Sequence, residues 1–277
     1  MFRVPEGFET FTVSSGRDCR WSGVMRSGDT GSGLTVSGVI SLCRKLQSGE
    51  ADKLFKASAK ISAGIVDGYF VKMYKLPGLS AQLRRRFRMG RAMHSLLAAE
   101  AVTEARVATP RIFAAVELKC KYHICDFLIT GVLHETQLTC NFALPGMAEA
   151  EQIDFLLYGI LPVIAALHRN GVAHGDLNLR NIYRTETSAG CLSDNFALAS
   201  AGVIDLDGSS WHSSPLPIAV REQELARLIS GFCKLCRTFS CADVIDAVLE
   251  SYGKLCEVQC SRDNILRRAE YLLHRTR

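Results

Sequence analysis

His174-Gly175-Asp176-Leu177-Asn178-Leu179-Arg180-Asn181, followed downstream by Val203-Ile204-Asp205-Leu206-Asp207, is the stretch that decides how this chain reads. It pairs a loop Asp with a later Asn and then delivers a further Asp at the end of a strand. Phosphoryl transfer asks for this set, because its catalysis is chiefly positioning and neutralisation of phosphate charge. Asp176 is the candidate base for an attacking hydroxyl, and no strongly raised pKa is needed for that role. Asn181 and Asp205 are the candidate ligands for a magnesium ion, which prefers hard oxygen donors. As isolated pieces, His-Gly-Asp could be a turn and Ile-Asp-Leu-Asp a strand end. Context argues otherwise, since Asp154 to Arg169 reads as a helix with Phe155, Leu156, Ile160, Val163, Ile164 and Leu167 on its apolar face, running straight into the loop.

The chain has 277 residues, 48% of them hydrophobic and 22% charged, enough for one or two substantial cores and too apolar for a disordered chain. The start, Met1-Phe2-Arg3-Val4-Pro5-Glu6-Gly7, lacks the apolar region of a secretory signal. No stretch is expected to approach the ~20 apolar residues of a spanning helix; Phe155 to Leu167 comes nearest and contains Pro162. Eleven cysteines without a signal are expected to be reduced thiols in the cytoplasm rather than a disulfide framework. Cys233-Lys234-Leu235-Cys236 could suggest zinc, but a helix over Glu222 to Leu235 fits the pattern better. The net charge is +5, and the excess is uneven: Lys72, Lys75, Arg84, Arg85, Arg86, Arg88 and Arg91 lie between Lys72 and Ala99 with no acidic residue among them. That patch is either a solvated helix face or a surface for anionic headgroups, phosphorylated sugar or nucleic acid.

Upstream, Phe8 to Val13 and Trp21 to Met25 read as strands and Val36 to Gln47 as an amphipathic helix. The glycines of Ser27-Gly28-Asp29-Thr30-Gly31-Ser32-Gly33 lack the Gly-Lys-Ser/Thr of a phosphate loop and read as a connection. Three strands follow, Lys53 to Ala59, Lys60 to Val66 and Tyr69 to Tyr74, the last two joined by an Asp67-Gly68 hairpin turn. A phosphate-covering turn is expected near Phe55-Lys56-Ala57-Ser58-Ala59-Lys60. Lys72 on the third strand is the candidate phosphate-binding lysine. A helix from about Gln82 to Arg106 offers Glu100 and Glu104 as its carboxylate partner, with Glu100 preferred because it lies further from Thr109-Pro110. Ile112 to Leu118 and His123 to Ile129 read as strands, and Thr130 to Asn141 as a hinge. Beyond a polar loop over Thr185 to Ser200, helices are expected at Arg221 to Cys236, Ala242 to Cys256 and Ser261 to His274, the last one basic.

Tyr69-Phe70-Val71-Lys72-Met73-Tyr74-Lys75, the arginine-rich helix ending in Thr109-Pro110-Arg111, Leu167-His168-Arg169-Asn170-Gly171-Val172-Ala173-His174-Gly175-Asp176-Leu177-Asn178 and Val203-Ile204-Asp205-Leu206-Asp207-Gly208 together resemble the bacterial lipopolysaccharide kinases, the Kdo and core-heptose kinases. The similarity covers roughly residues 50 to 230. Asp-Leu-Asn and Asp-Leu-Asp stand where eukaryotic protein kinases carry His-Arg-Asp and Asp-Phe-Gly. The resemblance implies an α+β, bilobal protein-kinase-like fold: an antiparallel-sheet N-lobe with one long helix over residues 1–130, and a mainly helical C-lobe over residues 131–277. It implies transfer of phosphate from ATP, with Mg2+, to a sugar hydroxyl of the lipopolysaccharide inner core (Kdo or heptose) at the cytoplasmic face of the inner membrane. By position, Lys72 would bind the nucleotide's phosphates, Asp176 would be the base, and Asn181 and Asp205 would hold metal; the helix Glu is where this chain departs from the family, so Glu100 is the nucleotide-side candidate from the helix reading alone. A lipid-linked sugar acceptor and an anionic membrane surface are the expected partners, and no nucleic acid is expected. Asp207 would assist the metal or cap the next turn. Other readings are a small-molecule phosphotransferase, a kinase-like module without catalysis, or a glycosyltransferase using Asp205 and Asp207. The last leaves Asp176 and Asn181 without a role.

Overall fold

The computed structural model describes residues 4–15, 18–27, 34–76, 78, 89–121, 123–134, 148–185, 201–212 and 214–275. Its elements are α+β throughout, and the chain divides into two units, Met1–Glu100 with Pro110–Val132 and Ala101–Thr109 with Leu133–Arg277.

The first unit is an antiparallel sheet. Its strands are β1 (Phe8–Ser15), β2 (Cys19–Arg26), β3 (Lys53–Ala57), β4 (Ile61–Val66), β5 (Tyr69–Lys75), β6 (Ile112–Cys120) and β7 (Ile124–Thr130), ordered β1-β2-β6-β7-β5-β4-β3. Asp67 and Gly68 turn the β4–β5 hairpin with φ of 47° and 78°, the left-handed pair that matches strand twist. Helix α1 (Val36–Ser48) opens with Thr35 Oγ1 accepting from Gly38 N at 3.2 Å and ends at Gly49 with φ of 88°. Its face of Val39, Ile40, Leu42, Cys43 and Leu46 is buried with Trp21, Val71, Val116 and Phe127 from the sheet. Trp21 and Phe127 stack tilted, with ring centroids 5.7 Å apart.

Helix α2 (Arg91–Glu104) begins where Asp126 Oδ2 accepts from Arg91 N at 2.8 Å. A carboxylate at that end is favourable because the first-turn N–H groups have no helical partner. The expected helix begins earlier, and its arginines Arg84, Arg85, Arg86 and Arg88 lie outside the described residues. So do residues 28–33 of the glycine-rich connection, 135–141 of the hinge and 186–200 of the polar loop.

Two expectations are corrected. Cys19 and Cys120 form a disulfide, because the β2–β6 register sets them opposite each other with Cα atoms 4.2 Å apart. Cys43, Cys125, Cys233, Cys236, Cys241, Cys256 and Cys260 are free thiols. The helix before the catalytic loop, α3 (Glu149–Arg169), is long and apolar enough to cross a membrane by length and composition. Half of its most apolar window is buried inside its unit, with Leu156, Ile160, Leu161, Ile164 and Leu167 among its fully covered side chains. Pro162 removes one helical donor, and the turn before it, Phe155–Ile160, widens to π geometry.

The rest of the second unit consists of β8 (Val172–Ala173), β9 (Ile182–Arg184), β10 (Ala201–Val203) and β11 (Ser210–Trp211), then α4 (Ile218–Leu235), α5 (Cys241–Cys256) and α6 (Arg262–His274). β9 pairs with β10, and β8 with β11. Helix α5 packs on α3, and α6 on α4. Phe127→Ala removes the ring that closes the sheet–helix core, and urea unfolding is expected to show about 3–5 kcal/mol lost from the first unit.

Candidate active site

The loop after α3 is held from beneath by a single carboxylate. Glu224 of α4, almost fully buried, accepts from His174 N at 2.7 Å through Oε2 and from Gly175 N at 2.8 Å through Oε1. His168 Nε2 lies 3.4 Å from the same Oε2, while Tyr252 OH lies 2.7 Å from His168 Nδ1 and Arg221 Nη1 3.4 Å from that hydroxyl. One donor direction satisfies all four groups: Arg221 to Tyr252, Tyr252 to neutral His168, His168 to Glu224. Burial pushes His168 below its ordinary 6.5, against the pull of Glu224. Burial alone would raise the Glu224 carboxyl, but the bonds from His168 and from the loop backbone outweigh it and hold it below its ordinary 4.5.

Above this anchor the loop and the strand end carrying Asp205 are tied together. His174 Nε2 lies 2.9 Å from Ile204 O, within hydrogen-bond distance, and Asp176 N donates toward its Nδ1 at 3.4 Å. Ile204 N donates to Asn181 O at 2.9 Å, and Ser209 Oγ to His174 O at 3.1 Å. Gly175, at φ of 82°, passes so close to Gly208 O that any Cβ would overlap it. These contacts bring Asp176, Asn181 and Asp205 into one constellation.

Asp176 is exposed at the loop tip. Asn181, buried on a 3-10 turn, donates Nδ2 to Asp176 O at 2.9 Å and to Asp176 Oδ2 at 3.2 Å, which turns its own Oδ1 the other way. Arg180 Nη2 shares Oδ2 at 3.2 Å. Asp205 stands in the left-handed region with φ of 63°, directly before the 3-10 turn Leu206–Gly208 that contains Asp207. An amide oxygen and a carboxylate are the hard donors that magnesium accepts, so the residues present fit that ion.

Of the nucleotide-side candidates, Lys72 and Glu100 belong to the first unit and Glu104 to the second. Lys72 lies opposite Ala63 on β4 and Leu128 on β7, half-buried, with Nζ 5.0 Å from the Tyr74 ring centroid. Glu100 Oε1 lies 4.0 Å from Arg26 Nη2, and Glu104 is exposed at the end of α2. The β3–β4 turn, where a phosphate-covering loop is expected, is closed by Ser58: its Oγ accepts from Ile61 N at 3.0 Å and its carbonyl from Lys75 Nζ at 3.1 Å.

Glu224 and its partners are the functional residues that sequence reasoning passed over. Their signal is a carboxylate inside the stripe Arg221, Leu225, Leu228 and Phe232, which helical spacing turns to one face. Arg180 was legible too, four residues after Asp176 as in a helical ion pair.

The sequence model of the lipopolysaccharide kinase (Kdo/WaaP) family matches residues 58–252. Among solved structures, one described as WaaP in complex with acyl carrier protein is similar at a TM-score of 0.55 and 21% identity, over 82% of this chain and 92% of that one. That likeness is one of fold. A glucosamine kinase is similar at a TM-score of 0.45 and 11% identity, over 97% of this chain and 85% of that one. No curated protein matches the chain.

Glu224→Gln keeps the shape of the anchor and removes its charge. Because the folded carboxyl sits below 4.5, its stabilisation is complete above that pH and fades as pH falls through the folded value. The gap in unfolding free energy between wild type and Glu224→Gln is expected to be on the order of 2–4 kcal/mol at neutral pH and to close in acid. A gap that stays constant across the acid limb of urea titrations would sink the assignment.

Proposed function

Because the chain belongs to the lipopolysaccharide kinase (Kdo/WaaP) family, we propose that Asp176 is its general base and that Asn181 and Asp205 hold the magnesium that accompanies ATP. The enzyme is a phosphotransferase acting on a sugar of the lipopolysaccharide core. The observation that carries the residue assignments is the constellation itself: one loop, clamped by Glu224, presents Asp176 beside Asn181 and is bonded to the strand end bearing Asp205.

The acceptor hydroxyl would give its proton to Asp176 as its oxygen bonds to the γ-phosphorus and ADP departs. Asn181 locks the Asp176 carboxylate in one rotamer, which removes a search the reaction would otherwise make at every turnover. Arg180, sharing Oδ2, adds a positive charge where phosphate charge spreads in transfer. Asn181 and Asp205 would hold the magnesium ion, which would supply neutralisation of phosphate charge. Lys72 is proposed to bind the α- and β-phosphates, and Glu100, whose carboxylate also faces Arg26, to orient that lysine. A lipid-linked Kdo or heptose as acceptor, and work at the cytoplasmic face of the inner membrane, complete the reading; the family's substrate class supports both.

The test is transfer of labelled γ-phosphate from Mg-ATP to Kdo-lipid A, heptosylated core, a generic protein and an aminoglycoside. Label is expected only on a lipid-linked sugar. Asp176→Ala is expected to lower the rate by roughly 10²–10⁴-fold while the protein still binds nucleotide. Asp205→Asn is expected to stay folded and to lose magnesium-dependent nucleotide binding by calorimetry. Label on the aminoglycoside alone would overturn the acceptor assignment, and retained magnesium dependence in Asp205→Asn would overturn the metal site.

A further inference from the structure

A groove of about 700 Å³ opens along α4 and α6, and its walls are rich in arginine: Arg227 on α4, then Arg267, Arg268 and Arg275 along α6 and its end. The acidic side chain on those walls, Glu222, is already engaged. Its Oε1 accepts from Ser261 N at 2.7 Å and its Oε2 from Asn264 Nδ2 at 3.3 Å, which ties the start of α6 to α4.

The arginines are arranged against their own repulsion. With the Gln223 amide assigned from its neighbours, its Oε1 accepts from Arg227 Nη2 at 3.2 Å and from Arg268 Nη2 at 3.0 Å. Two guanidiniums converging on one neutral oxygen repel each other, and an amide dipole offsets only part of that. None of this serves the core: α6 is buried through Ile265 and Ala269, whereas Arg267, Arg268 and Arg275 are exposed. An anionic phosphate would offset the repulsion of the converging pair and could accept hydrogen bonds from the planar fork of each guanidinium. Tyr271, 59% exposed on the same wall, adds a flat amphipathic surface at the groove's edge.

We propose that this groove binds a phosphate-bearing ligand, at a site that uses none of Asp176, Asn181 or Asp205. The phosphate could belong to a lipid headgroup or to a soluble phosphorylated compound, and the shared chemistry is the recognition of phosphate oxygens by convergent arginines.

The experiment uses the full chain without nucleotide or magnesium, so that it reads binding independently of catalysis. Wild type is compared with Arg267→Ser/Arg268→Ser/Arg275→Ser. Arg227 is left intact because its Nη1 also lies 3.9 Å from Glu224 Oε1. The probes are phosphatidylcholine vesicles with and without phosphatidylglycerol, by co-sedimentation, and glycerol 3-phosphate, by calorimetry. Wild type is expected to bind at least one phosphate probe, and the variant at least about tenfold more weakly. Loss confined to the phosphatidylglycerol vesicles assigns the site to a lipid surface, and loss confined to glycerol 3-phosphate assigns it to a soluble ligand. A Lys variant at the same three positions keeps the charge and should lose affinity for glycerol 3-phosphate, which covers the case of a poorly folded Ser variant. Equal binding by wild type and variants, or no binding by wild type, overturns the proposal. A failure of phosphate transfer in the kinase assay would leave this result standing.

Discussion

A buried carboxylate that accepts two successive backbone N–H groups is the constraint on which the second unit depends. The segment from His174 to Asn181 has almost no regular structure, and a buried irregular backbone must find donors and acceptors elsewhere. Glu224 supplies both oxygens to it, and the bonds are charge-assisted. Burying that charge is tolerable because His168, itself held by Tyr252 and reached in turn by Arg221, completes its coordination. Helices α3, α4 and α5 therefore meet at the same few atoms that present the loop. Its tip can stay exposed and polar because its base is so heavily determined.

In the first unit the same economy applies to β7. Leu128 lies opposite Lys72 in the register, and Asp126, two positions earlier on that strand, caps the start of α2. The strand carrying the lysine and the helix carrying Glu100 are thus referenced to one segment of sheet. A slip of one residue in β7 would turn its whole pattern to the other face and uncouple both.

Much of this was legible from short-range pattern. The apolar faces of α1, α4 and α5, the Asp67-Gly68 turn and the spacing of Asp176 and Asn181 all depend on residues within a few positions of one another. Interactions between distant segments were not. Nothing near Glu224 announces that it will meet His174, and nothing near Cys19 announces Cys120, which is 101 positions away. Likewise the apolar run of α3 carries no mark that separates a covered core helix from a spanning one. Its packing, with Leu156 and Ile164 fully covered, adds what length and composition do not carry.

The backbone at Asp205 has a consequence for how such a protein could change over generations. At φ of 63° an L side chain pays roughly 1–2 kcal/mol, and the residues that tolerate it best are Gly, Asn and Asp. Drift at this position is therefore channelled: β-branched and bulky replacements would be removed as folding defects before their effect on chemistry mattered. The replacements that survive are those that leave the loop intact while discarding the carboxylate. A lineage relieved of selection for phosphate transfer would tend to pass through well-folded, inactive forms, so that the fold would outlive the reaction and become available for other uses.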